Sequence, residues 1–156
     1  MKKAGIATLT LLLVAGAAMA QHGGPGGGEV LVASNGTVFI TSVVRDSATE
    51  TATTQIVAVT TSGAKAWTAT LANGGRLTLS GNNLLSVSDG TITAINTATG
   101  ATAWTLTQSG RVMELEPFSG GTYAIVVTPA ATSGAAATRS LIAISSSGTV
   151  LWSVSL

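Results

Sequence analysis

Three segments of this chain repeat one another, and the repeat constrains the fold more than any other feature. Ile56–Trp67, Ile92–Trp104 and Leu141–Trp152 each hold an apolar-Ala-apolar run, a polar turn, and a Gly four residues before a Trp. The aligned positions are Ala58, Gly63 and Trp67, then Ala94, Gly100 and Trp104, then Ala143, Gly148 and Trp152. All three tryptophans of the chain fall at the same place in the unit, spaced 37 and 48 residues apart. Periods near 40, built from short alternating strands, are what propeller blades show, four strands to a blade. Between these segments Val, Ile, Thr, Leu and Ala alternate in short runs broken by Asn-Gly, Ser-Gly and Asp-Gly pairs. That is strand-and-hairpin punctuation, and no stretch keeps a helical period.

The reading is therefore all-β: a partial propeller of about three four-stranded antiparallel blades, near 29–71, 76–108 and 111–156. The middle blade divides most plainly, into Arg76–Leu79, Asn83–Val87, Thr91–Asn96 and Thr102–Thr107. Asp89-Gly90 gives its central hairpin a two-residue turn, since that pair tolerates positive φ. In the other two blades the same turn is replaced by longer polar stretches, Arg45–Thr54 and Pro129–Arg139. Both are expected to be loops on one side of the array, where they would offer a surface to a partner.

The chain before the repeats reads as an export signal and a leader. Lys2 and Lys3, the apolar run Ala4–Ala18 and the small-x-small site Ala18-Met19-Ala20 make residues 1–20 a signal peptide. Its 15-residue apolar stretch is shorter than the about 20 residues a spanning helix needs, so no membrane span is expected after cleavage. No Cys follows it to accept a lipid. Residues 21–28, rich in Gly, are a flexible leader, and 29–156 carry the repeats. The expected location is the periplasm or the exterior.

Composition then removes several functions. Only 8% of the residues are charged, against roughly 25% in an ordinary soluble domain. Thr and Ser stand in for charges on outward strand faces, because β-branching suits the pleat and hydroxyls suit water. Without Lys2 and Lys3 the seven basic residues become five, against six acidic ones, so no basic patch is available for nucleic acid. One His and no Cys exclude thiol catalysis, zinc fingers and disulfide scaffolds. Glu114 and Glu116, two apart on an expected strand, leave the same face as a carboxylate pair would in a glycosidase. Their better reading is structural, with Pro117 marking a strand end or an exposed edge. His22, second from the cleaved terminus and followed by Gly-Gly, is a Cu(II) candidate, since amine, imidazole and amide nitrogens suit that ion. No cofactor is expected.

The repeat resembles the tryptophan-docking repeat of pyrroloquinoline-quinone-type β-propellers, roughly Ala-x-Asp-x-x-Thr-Gly-Lys-x-x-Trp. Ala94–Trp104 matches at Ala94, Thr99, Gly100 and Trp104, with Asn96 for the Asp and Ala101 for the Lys. The resemblance covers about Glu29 to Leu156. It implies that the Trp packs between neighbouring blades and that the Gly permits the turn. Quinone-dependent members close eight blades around a cofactor with a vicinal cysteine pair, a calcium site and a catalytic Asp. This chain has no Cys and no recognisable counterpart of the other two, so the resemblance implies the architecture without quinone chemistry. A closer likeness within the superfamily is the non-enzymatic propeller subunit of the bacterial β-barrel assembly machinery, which binds partners through its loops.

The function expected is an exported, non-catalytic scaffold or protein-binding module. It would engage a protein partner, or a second copy of itself, through the open faces of its end blades. Two alternatives share the sequence. The chain is a fragment of a longer quinoprotein-like propeller, or it is a small outer-membrane barrel, for which its alternating aromatic-apolar C-terminus argues.

Overall fold

The computed structural model describes residues 28–46, 51–72, 75–132 and 135–156. The signal reading (residues 1–20), the leader reading (21–28) except Gly28, and the Cu(II) candidate His22 lie outside the described residues. Twelve strands form three separate four-stranded antiparallel meanders, and none of the described residues is helical. Sheet one holds β1 (Val30–Val32), β2 (Val38–Asp46), β3 (Thr51–Val59) and β4 (Lys65–Ala72). Sheet two holds β5 (Leu77–Ser80), β6 (Asn83–Ser88), β7 (Thr91–Asn96) and β8 (Thr102–Thr107). Sheet three holds β9 (Arg111–Phe118), β10 (Gly121–Thr128), β11 (Thr138–Ser145) and β12 (Val150–Ser155). In each sheet the strands lie side by side in chain order. The all-β, three-sheet expectation is met, and the described strands do not close into one barrel.

The sheets stack face to face through two apolar layers. In the first, Leu31, Phe39, Ile56 and Ala58 of sheet one pack on Leu77, Leu84 and Ile95 of sheet two. In the second, Leu85, Ile92 and Ala94 of sheet two meet Val112, Val126 and Ile144 of sheet three, among others. Period-two alternation supplies this arrangement. Leu84 pairs with Ile95 and faces one way, and Leu85 pairs with Ala94 and faces the other. Sheet two is thus covered on both faces, and its β6 shows a run of four buried residues instead of an alternating pattern. Among the described residues, the end sheets are covered on one face only.

One expectation about connections changes. The stretch Arg45–Thr54 is not a long loop: β2 and β3 continue their ladder as far as Asp46 opposite Thr51. Val43, Val44, Thr51, Thr53 and Thr54 are β-branched, and such residues keep a pleated pair going where polarity alone suggested a loop. Strand β9 runs on through Pro117 to Phe118, so of the two readings of Pro117 the exposed edge holds. It is an edge strand, the place where a proline deprives no neighbour of a hydrogen bond. The other insertion is a real connection, with β10 and β11 ending their ladder at Thr128 opposite Thr138.

Because Ile92 lies fully buried between sheets two and three, Ile92→Ala is expected to cost about 2–5 kcal/mol. Met113 is exposed, and Met113→Ala should change stability by less than about 0.5 kcal/mol. Urea denaturation of the two variants beside the wild type measures both.

Candidate interaction surfaces

Each tryptophan sits opposite the repeat alanine on the fourth strand of its sheet: Trp67 opposite Ala58, Trp104 opposite Ala94, Trp152 opposite Ala143. In all three sheets the ladder slips by one residue immediately beside that pair. The extra residue, just before the Trp, is Ala66, Ala103 or Leu151. Such a bulge re-aims the side chain that follows it. The three alanines are completely buried, and a methyl group there leaves room for the indole across the strand.

What the indole reaches is the next sheet. Trp67 Nε1 donates a hydrogen bond of 3.0 Å to the Thr97 carbonyl in the β7–β8 turn, and Trp104 Nε1 donates one of 2.9 Å to the Ser146 carbonyl in the β11–β12 turn. The ring lies flat on the turn glycine. A Cβ on Gly100 would stand 2.6 Å from the Trp67 ring, and one on Gly148 would stand 2.6 Å from the Trp104 ring. Both glycines also hold positive φ, 74° and 85°. The repeat Gly is therefore needed twice over, for its backbone and for its missing side chain. Nine residue positions chosen from sequence thus fall into two complete docking sites and the two unmatched halves of a third. Trp152 is 44% exposed, and nothing lies within 4 Å of a Cβ on Gly63.

Polar links between sheets were not visible in the sequence pattern. The Leu77 amide donates to Glu29 Oε2 at 3.1 Å, joining the start of sheet one to β5. Between sheets two and three, buried Ser80 donates to the Gly121 carbonyl at 2.9 Å and accepts from the Thr122 hydroxyl at 2.7 Å. Asn83 adds a second donor to the Ser146 carbonyl. Lone Ser, Thr and Asn residues in a chain full of them carry no signal of their own. Among the described residues, no buried side-chain nitrogen or oxygen lacks a partner.

Two shallow clefts open between sheets two and three. One of ≈ 330 Å³ is bordered by Asn82, Asn83, Phe118 and Ser146. The other, of ≈ 240 Å³, is bordered by Arg76, Thr78, Met113, Glu114 and Glu116. Glu114 and Glu116 do share a face, opposite Ile125 and Tyr123, and both are exposed. No group of three His, Cys, Asp or Glu side chains able to hold a metal occurs among the described residues. Among the described residues, no helix is long and apolar enough to cross a membrane.

The sheet-to-sheet tryptophan dock, repeated in register, is the joint of a propeller. The sequence model for the family of outer membrane protein assembly factor BamB matches residues 52–156. The chain belongs to this family. Among solved structures it is similar to BamB from Moraxella catarrhalis, at 16% identity, over 86% of this chain and 47% of that one, with a TM-score of 0.46. It is also similar to an acylaminoacyl peptidase of Pyrococcus horikoshii, at 9% identity, over 76% of this chain and 23% of that one, with a TM-score of 0.59. The latter likeness is one of fold alone. The chain spans less than half the length of either protein. None of the curated proteins matches it in sequence.

The Trp–Gly dock makes a stability difference measurable. Gly100→Ala combines left-handed strain of about 1–2 kcal/mol with overpacking of about 1–3 kcal/mol against Trp67. Gly81 also has positive φ but open space around it, so Gly81→Ala should show the strain alone. Equal urea midpoints for the two variants would contradict the dock.

Proposed function

We propose that this BamB-family chain is an exported, non-catalytic propeller scaffold that binds another protein of the cell envelope. The exposed Glu114 and Glu116, the lack of cysteine and the shallow clefts suit a binding surface better than a reaction site. Support for export comes from residues 1–20, which carry the charge, apolar run and small residues of a signal.

The observation that carries the binding reading is the unequal rim where second strands turn into third strands. Sheet two needs only Asp89-Gly90 there, with φ of 52° and 145°. Sheet three spends residues 129–137 on the same connection. The two lie side by side: the Gly110 linker abuts Thr128 at the base of the long connection and also the Gly90 turn. A two-residue turn closes the neighbouring sheet, so folding does not require the longer one. Its described residues are almost all exposed, uncharged and small, with Ala131, Ala135, Ala136 and Ala137 among them. A loop of that kind on a rigid sheet is placed to meet a partner.

Replacing residues 129–137 by Asp-Gly tests this. In envelope extracts the wild type is expected to elute in a complex larger than the purified protein forms alone. The shortened variant should elute as the purified protein does, with unchanged melting. Wild type eluting from extracts at the position of the purified protein contradicts the reading.

A further inference from the structure

Among the described residues, the stack makes the tryptophan dock twice and leaves both halves of a third one free at opposite ends. The free seat is the β3–β4 turn of sheet one. The Gly63 amide donates to the Thr60 carbonyl at 3.0 Å, and the Thr60 amide donates to the Ala64 carbonyl at 2.9 Å. The occupied seat of sheet three repeats these bonds: the Gly148 amide to the Ser145 carbonyl at 3.0 Å, and the Ser145 amide to the Thr149 carbonyl at 2.8 Å. Even the hydroxyl pairs correspond, Thr60 with Ser62 at 2.8 Å and Ser145 with Ser147 at 2.9 Å. The glycine φ values are 81° and 85°. Thr61 therefore stands where Ser146 stands, and the Ser146 carbonyl is the one that accepts from Trp104.

The free donor is held ready. Trp152 rests against Tyr123 with ring centroids 5.7 Å apart and planes tilted by 43°. Docked Trp67 rests against Phe39 at 5.7 Å and 36°. Tyr123 and Phe39 occupy the same register position, opposite Ala143 and Ala58. The indole of Trp152 thus already has the attitude of one that is docked. Around both halves the sheet faces are apolar. Val30, Val32 and Ile40 are exposed on the outer face of sheet one, and Val154 is exposed beside Trp152 on that of sheet three. In the two internal junctions the same register positions form the buried layers.

We infer that two copies of this chain join head to tail, Trp152 of each lying on the Gly63 turn of the other and donating its indole N–H to the Thr61 carbonyl. Donor and seat are different surfaces, so such a contact is heterologous and closes only at a fixed copy number. Two copies give six sheets, within the usual propeller range of about four to eight. The pairing rests on the scaffold reading and adds the scaffold's own geometry to it.

Light scattering on the protein purified from cells expressing the full coding sequence tests the pairing. The expected mass is that of two copies. A single-copy mass overturns the pairing, and so does a mass that keeps growing with concentration. Two variants locate the joint. Trp152→Ala removes the donor. Gly63→Asn blocks the seat while keeping the turn, because Asn tolerates the left-handed region and the single copy has open space there. Each should give a single-copy mass with an unchanged far-ultraviolet spectrum. Folded variants that still measure as pairs overturn the assignment. A purified chain that stays single yet runs in a larger complex in envelope extracts removes the pairing and leaves the scaffold reading standing.

Discussion

An indole laid on a glycine turn of the next sheet is the contact on which this architecture depends. Four short strands do not make a stable unit by themselves, because a single meander leaves one apolar face in water. The dock fixes where the neighbouring sheet covers that face. It combines a large flat apolar surface with one hydrogen bond, from Trp67 to the Thr97 carbonyl and from Trp104 to the Ser146 carbonyl. The direction of the bond means the two sheets meet in one register.

Other features of the chain follow from that contact. The repeat alanines are small because each faces a tryptophan across the strand. A residue is inserted before each tryptophan because the bulge turns the ring toward the next sheet. The scarcity of charge also finds its place. A middle sheet buried on both faces has no outward face for Lys or Glu, and its hydroxyls and amides go instead to neighbours: Ser80 to Gly121, Asn83 to Ser146. The end sheets keep the same apolar composition without the same cover.

Much of this was legible in the sequence, because Trp, Gly and Ala at fixed offsets have few other reasons to recur. Three sheets and the turn glycines could be read from Ala58–Trp67 and its two echoes, and the resemblance to the tryptophan-docking repeat implied the inter-blade role of the tryptophans. Less was legible where residue types serve two purposes. Thr51–Thr54 reads as a polar loop and pairs as strand, since threonine suits either. Pro117 reads as a strand end or an exposed edge, and it stands within an edge strand, since the pattern alone does not choose between the two. Sequence also did not show that Trp152 would rest on Tyr123 much as docked Trp67 rests on Phe39.

Hydrogen exchange of the tryptophan indole N–H groups, followed by nuclear magnetic resonance, tests the docking contact most directly. The indole protons of Trp67 and Trp104 should exchange well below the rate of a solvent-exposed ring, because each is held by a carbonyl of the next sheet. Indole protons that exchange at the rate of a solvent-exposed ring, while the central strand amides of β6 and β7 stay protected, would show that the sheets hold together without the dock.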